Sequence, residues 1–268
     1  MKLYFPQWQG AGTGKGILSG AEALLQYLGP SIFEHIELSK VPAGTHGEKR
    51  HCINNYGALH EQLLRLKTKI SEERPTKLHT IGGDCGLEIV PVSYLNQRYP
   101  KLGVVWFDAH ADINRPCDST SCNFHGMPLR TLLGEGEPDM DSLLFSTLTP
   151  RQIHYVGLRD VDPAEKQRIA EGQIYAPTKP DAEALVQTMR GKNIAEVYIH
   201  FDFDCLDPLD YDKTYYQVPK GLRIGEAEAC IKALQNNFKI VGTSVLESVT
   251  PHVEELEPIH NLLKLLME

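Results

Sequence analysis

The run Val104-Val105-Trp106-Phe107-Asp108-Ala109-His110-Ala111-Asp112-Ile113-Asn114 carries an apolar strand directly into Asp-x-His-x-Asp. If the backbone stays extended, the two-residue period aims Asp108, His110 and Asp112 to one side, where they converge. In open parallel sheets that point, just past the carboxyl ends of the strands, is where ligands bind. Alone, such a triplet reads equally well as an acidic turn. Ile199-His200-Phe201-Asp202-Phe203-Asp204-Cys205-Leu206-Asp207-Pro208 repeats the arrangement, with a strand and then carboxylates at i and i+2. Burying so many negative charges together is very costly unless cations neutralise them. Carboxylates with an imidazole suit Mn²⁺ better than Zn²⁺, which wants more nitrogen or sulfur. Because carboxylates bridge, two ions roughly 3.5–4 Å apart are the expectation. His200 shares strand parity with Asp202 and Asp204, and is expected to be a satisfied structural histidine rather than an extra ligand.

The elements that must position these groups are legible as alternation. Lys77–Ile81, Leu102–Phe107, Ile153–Val156, Val197–Phe201 and Lys239–Val245 are short and apolar or β-branched, as buried parallel strands should be. Between them, Ile17, Leu18, Ala21, Leu24, Leu25 and Leu28 repeat at helical spacing and stop at Gly29-Pro30. Leu59, Leu63, Leu66 and Ile70 do the same before Pro75, and Ile224, Ala227, Ile231 and Leu234 make a third stripe. Strand then helix, repeated, predicts an α/β fold whose parallel sheet is covered on both faces. The run from Gly10 to Gly16 looks like a phosphate-cradling loop, but it lacks Ser or Thr after Lys15 and is one residue short between Gly10 and Gly14. It reads as a flexible turn before the first helix.

At 268 residues, with no internal period and no linker-like tract, the chain is expected to be one domain spanning 1–268. Hydrophobic residues at 41% and charged residues at 23% exclude disordered and fibrous classes. No stretch approaches the ~18 consecutive apolar residues of a membrane span. Twenty-seven Lys and Arg against 35 Asp and Glu give a net charge of −8, which disfavours nucleic-acid backbones and anionic lipid surfaces and favours a cationic partner. Met1-Lys2-Leu3-Tyr4-Phe5-Pro6 has no secretory character, and the six scattered cysteines read as reduced thiols in a cytoplasm. Cys52, Cys117, Cys205 and Cys230 are expected to act as small apolar residues.

Gly82-Gly83-Asp84, Asp108-Ala109-His110-Ala111-Asp112, Phe201-Asp202-x-Asp204-x-x-Asp207-Pro208 and Glu247 fall in the order and spacing of the arginase and agmatinase family of ureohydrolases, which the sequence resembles over nearly its whole length. The resemblance implies a three-layer αβα fold with a central parallel sheet, two Mn²⁺ ions at the sheet's carboxyl edge, a homo-oligomer (trimer or hexamer), and hydrolysis of a guanidinium to urea and an amine. Carried over residue by residue, it makes Asp108, His110, Asp112, Asp202 and Asp204 metal ligands, with Asp112 also counted among the catalytic residues. The family's sixth ligand, a His after Gly-Gly-Asp, is here Cys85. Ser121-Cys122-Asn123-Phe124-His125-Gly126 is similar to the family's Ser-Gly-Asn-x-His-Gly, whose His shuttles a proton, so His125 inherits that role. Without the motif, His125 would read as a surface residue of a polar loop. Glu247 matches the carboxylate that holds the guanidinium, although the following Pro251 sits one residue late; on its own it is a strand-end carboxylate. The chemistry is coherent, because a resonance-stabilised guanidinium needs a nucleophile stronger than neutral water, and metal coordination lowers the pKa of water.

Gly157-Leu158-Arg159-Asp160-Val161-Asp162-Pro163-Ala164-Glu165 is similar to the arginase subgroup, where the second Asp and the later Glu recognise the substrate's α-amino group. By the same resemblance Asn114 and Ser121 bind the α-carboxylate, so the expected substrate is arginine, cleaved to ornithine and urea. The plainer reading of that segment is a turn salt bridge between Arg159 and its acidic neighbours. Agmatine, guanidino acids and formimino compounds are the other substrates in view, and a catalytically weakened relative that binds metal or amino acid is the other class. Two departures stand out. Tyr215 and Tyr216 replace small residues of the family's Gly/Thr-rich loop, where they narrow the pocket, stack on a flat cation or block arginine. Cys85 either ligates as a thiolate, which suits Zn²⁺ or Fe²⁺, or stays out and leaves one metal position weak; the carboxylates around it favour the second.

Overall fold

The computed structural model describes residues 1–12, 14–39 and 47–267, the side chain of Lys15 excepted. Within the glycine-rich run, therefore, Thr13 and the Lys15 side chain lie outside the described residues. Among the described residues one seven-stranded sheet is formed by β1 (Lys2–Phe5), β2 (Glu34–His35), β3 (Leu78–Gly82), β4 (Leu102–Phe107), β5 (Ile153–Val156), β6 (Glu196–Asp202) and β7 (Lys239–Leu246). Its order is β2-β1-β3-β7-β6-β4-β5 and every pairing is parallel. The five expected strands are present with ends shifted by at most one residue, while β1 and β2 were not expected. β1 is only four residues long and stops at Pro6, too short to show a period.

Parallel strands buried on both faces divide their side chains between two cores. Val104 and Trp106 of β4 face one core, and Val105 and Phe107 face the other. The first core is covered by α2 (Tyr56–Glu73) and α3 (Ile89–Arg98), with the short α4 (Pro128–Leu132) and α5 (Pro138–Asp141) beside them. The second is covered by α1 (Lys15–Leu28), α7 (Ala182–Gly191), α8 (Ile224–Asn237) and α9 (His260–Met267), so the layers are αβα; α6 (Pro163–Gly172) borders the site described below. The three expected stripes are the buried faces of α1, α2 and α8. α1 stops at Gly29, whose φ of 93° ends the helix. Leu59, Leu63, Leu66 and Ile70 of α2 are all 0% exposed, and each contributes about 1.5–3 kcal/mol by burial.

Register sets the level of the site. Ile81 of β3, Val245 of β7, Phe201 of β6 and Phe107 of β4 are mutual partners across four adjacent strands. The residues that follow each of them, on β3, β7, β6 and β4, emerge side by side at the carboxyl edge. Close approach there needs glycine: a Cβ at Gly83 would collide with the backbone of Gln7, whose carbonyl accepts the Asp84 N–H at 2.6 Å. A Cβ at Gly10 would likewise run into the Asp84 carboxylate. The expectation of a flexible turn is thus corrected: Gln9–Ala11 is a buried turn of 3-10 helix, held by the Gly10 N–H donating to Asp84 Oδ2 at 2.8 Å.

Candidate functional site

Asp108 follows the last residue of β4, and Asp202 is the last residue of β6. The His110 N–H donates to Asp108 Oδ1 at 2.6 Å, and the Asp204 N–H donates to Asp202 Oδ1 at 2.7 Å. Each triplet therefore turns at once, braced by its first carboxylate, and does not continue extended as expected. Asp112 even adopts a left-handed φ of 51°. Convergence is achieved by these turns. His110 Nδ1 lies 3.0 Å from Asp204 Oδ2 and 3.4 Å from Asp108 Oδ1, and the Ala109 N–H donates to Asp204 Oδ1 at 3.0 Å, tying the two loops together.

The electrostatics are those of an anionic site. Burial, then the neighbouring carboxylates, pushes Asp112 and Asp202 well above the ordinary carboxylate range, and Asp204 to about 6. Burial works the same way on Asp108, but His110 and His200 beside it prevail and hold it low. Burial opposes the charge of His110, yet Asp108 and Asp204 raise its pKa to about 12. Among the described residues three sets of donor atoms each lie within 4.8 Å of one another: Cys85, Asp108, Asp112 and His200; Cys85, Asp202 and Glu247; and Asp108, His110 and Asp204. Asp112 Oδ2 is buried without a hydrogen-bond partner. Clustered, repelling carboxylates with an orphaned oxygen are what a divalent cation relieves, so the residues fit a metal centre.

β3 and β7 complete the floor. Glu247, just past β7 with φ 63°, is placed by its N–H donating to Gly83 O at 2.8 Å. Its Oε1 accepts the Cys85 N–H at 3.1 Å and meets His125 Nδ1 at 3.2 Å, while Oε2 is buried and unpartnered. Burial disfavours the charged form of His125, but Glu247 outweighs it and the imidazole pKa is raised. Cys85 Sγ sits 3.4 Å from Asp202 Oδ2 and 3.6 Å from His200 Nε2; burial, then Asp112 and Asp202, pushes its thiol well above the ordinary range. His200 is buried and stacked on Trp106, with Glu88 Oε1 3.5 Å from its Nδ1 and Asp108 Oδ2 3.6 Å from its Nε2, both longer than an ordinary hydrogen bond.

A cavity of about 140 Å³ opens over this floor, lined by Cys85, His110, Asp112, Asn114, His125, Gly126, Asp160, Asp162, Glu165, Asp202, Asp204 and Tyr216. That is well below the ~300 Å³ at which drug-sized ligand pockets begin. Asn114 Nδ2 donates to Asp162 Oδ2 at 3.1 Å on the rim. Buried Glu165, at the start of α6, accepts the Ile113 N–H at 3.1 Å and the Asp162 N–H at 3.0 Å; burial raises its pKa to about 7. Ser121 is not brought in: it is exposed and outside the cavity lining, its hydroxyl accepting the Asn123 N–H at 3.2 Å. Tyr216 narrows the mouth, its ring 5.2 Å from that of His125, whereas the Tyr215 hydroxyl accepts the Gly16 N–H at 2.9 Å and braces α1. Arg159 makes no turn salt bridge; its guanidinium donates to backbone carbonyls, including Asp204 O at 2.7 Å and Gly157 O at 2.9 Å.

Three residues escaped the sequence reading. Asp160 reaches to 3.8 Å from His110 Nε2, and its signal was its place beside Asp162. Asp84 anchors the Gln7–Gly10 segment, and burial lifts its pKa to about 7. Fully buried Glu88 faces His200 and gave no signal at all. The cysteine expectation holds for buried Cys205 and Cys230; Cys117 is exposed, with its Sγ 3.7 Å from that of partly buried Cys52, so it is no core residue.

The arginase family model matches residues 14–263, and the chain belongs to that family, which places it among hydrolases of guanidino compounds. An arginase of Staphylococcus aureus (strain MRSA252) is 30% identical over 234 residues, covering 82% of this chain and 76% of its own. Among solved structures, the Entamoeba histolytica arginase in complex with L-ornithine superposes with a TM-score of 0.85 at 24% identity, covering 98% of this chain and 97% of its own. Bacillus caldovelox arginase gives 0.85 at 23% over 100% and 97% of the two chains. No described helix is long and apolar enough to cross a membrane.

Proposed function

We propose that the protein hydrolyses the guanidinium of L-arginine to urea and ornithine at a two-Mn²⁺ centre held by Asp108, His110, Asp112, Asp202 and Asp204, beside Cys85. The observation that carries the reading is the His125–Glu247 pair, 3.2 Å apart at the edge of the buried carboxylate cluster. When bound, the ions acidify water and so make a nucleophile stronger than neutral water available at pH 7. Glu247 Oε2, buried and unpartnered, accepts from the guanidinium and fixes its orientation. Asp112 Oδ2 is free to accept a hydrogen bond from the attacking water. His125, paired with Glu247, which raises its pKa against the effect of burial, is the group that gives the departing amine its proton.

Asn114 and Asp162, joined on the rim, form the amino-acid clamp, and Glu165 positions Asp162 through its N–H. One observation favours a second reading: Tyr216 constricts the mouth beside His125, which suits a guanidino compound shorter than arginine. Urea release by Mn²⁺-loaded protein across arginine, agmatine, guanidino acids and formimino compounds tests the assignment. Arginine is expected to turn over fastest; a shorter guanidino acid in first place supports the second reading, and equal turnover of arginine and agmatine refutes the clamp.

A further inference from the structure

Replacing the family's His by Cys85 removes an imidazole from the floor of the site, but the floor is not without a second one. His200 projects from β6, fully buried, its ring stacked on Trp106 at 3.5 Å between centroids and 9° between planes, which fixes its orientation. Nε2 lies 3.6 Å from both Cys85 Sγ and Asp108 Oδ2. Nδ1 lies 3.5 Å from Glu88 Oε1, and Glu88 is as deeply buried as His200. A structural imidazolium clamped between two carboxylates would draw them to ordinary hydrogen-bond lengths of ~2.7–3.2 Å. Both contacts are longer, and Glu88 Oε1, Glu88 Oε2 and His200 Nδ1 are left buried without partners. Donor atoms sharing an ion at about 2.0–2.3 Å lie roughly 3–4 Å apart, as Nε2 does from its two neighbours. A carboxylate behind the other ring nitrogen is the usual support of a metal-bound histidine.

We propose that His200 is a metal ligand through Nε2, supplying from β6 the imidazole that Cys85 does not, and that Glu88 is the positioning residue that accepts its Nδ1–H. The inference rests on the metal reading above, and it replaces the expectation of one weak position with a centre that binds two ions tightly.

The test uses the full chain reconstituted with Co²⁺ and ¹⁵N-labelled in its histidine rings. Two imidazoles, His110 and His200, are expected to show hyperfine-shifted signals, and the His200 N–H, enclosed by Glu88, is expected to exchange slowly. His200→Phe, which retains a ring over Trp106, should lose that signal and one of two ions per chain after dialysis; Glu88→Gln should weaken that ion ~10–100-fold. A loaded wild type with a single shifted imidazole overturns the proposal even if the variants do not fold, as does a folded His200→Phe that keeps both ions; the metal reading survives either result. A wild type that takes up neither Co²⁺ nor Mn²⁺ overturns the metal reading itself.

Discussion

His125 Nδ1 lies 3.2 Å from Glu247 Oε1, and the other oxygen of Glu247 is buried with no partner. One carboxylate thus engages the imidazole with one oxygen and leaves the second unpartnered, as the proposed roles of proton donor and guanidinium acceptor require. His125→Ala should leave the metal content intact while lowering turnover ~10²–10⁴-fold. His110→Ala should reduce metal content first, since His110 Nδ1 lies against both Asp108 and Asp204. Elemental analysis beside urea assays separates the two; loss of metal from the His125 variant would make that residue a ligand or a structural support.

Asp162→Ala should cost arginine ~2–5 kcal/mol of productive binding, because the substrate's α-ammonium is left unpaired. A guanidino acid of matched length, which lacks the α-ammonium that Asp162 would hold, should be affected little by the change. Comparison of kcat/KM for the two substrates in wild type and variant checks this, and an equal loss for both would remove Asp162 from the clamp.

Arg159 fastens the Asp204 loop by donating to several carbonyls at once, among them Asp204 O at 2.7 Å and Val218 O at 2.6 Å. Arg159→Ala should destabilise the fold by about 2–4 kcal/mol, since hydrogen bonds to charged groups contribute ~1.5–3 each and the freed carbonyls partly find water. Arg159→Lys should rescue little, because one ammonium cannot span the fork. Thermal unfolding of both variants decides it; full rescue by Lys would contradict the fork.

Burial, then the charge of Lys192, lowers the His154 pKa to about 3; burial, then Lys77, lowers that of His79 to about 4. An unfolded chain titrates these groups near 6.5, so between those values it binds more protons than the folded one. Their stabilisation is present in full above ~pH 6.5 and is lost as pH falls toward 4 and then 3, on the order of a few kcal/mol each. The urea midpoint should fall between pH 7 and pH 4.5, and less steeply in a His79→Gln, His154→Gln double variant. A double variant with an unchanged slope would assign the acid sensitivity elsewhere.

Much of this was readable from the chain because the strands that carry the site are short, apolar runs with clear ends. Leu102–Phe107 has the bounds its composition suggests, and Asp108 and Asp202 stand where it and the Val197–Phe201 run end. The turns after them were not readable, since a carboxylate accepting from the second N–H beyond it leaves no mark in a two-residue period. Cys85 was visible as a departure. Its neighbours were not: Glu88 meets His200 only because the sheet order sets β3 and β6 on either side of β7. Ser121 shows the opposite error, a motif position that matches in sequence but lies outside the cleft.

The central claim, metal-dependent hydrolysis of a guanidinium, is tested most directly by titrating Mn²⁺ into chelator-stripped protein with arginine present and measuring urea. Urea should be absent without the ion and should rise with Mn²⁺ to saturation at two equivalents per chain, with ornithine in equal amount. Metal-loaded, folded protein that releases urea from neither arginine nor any other guanidino compound would contradict it.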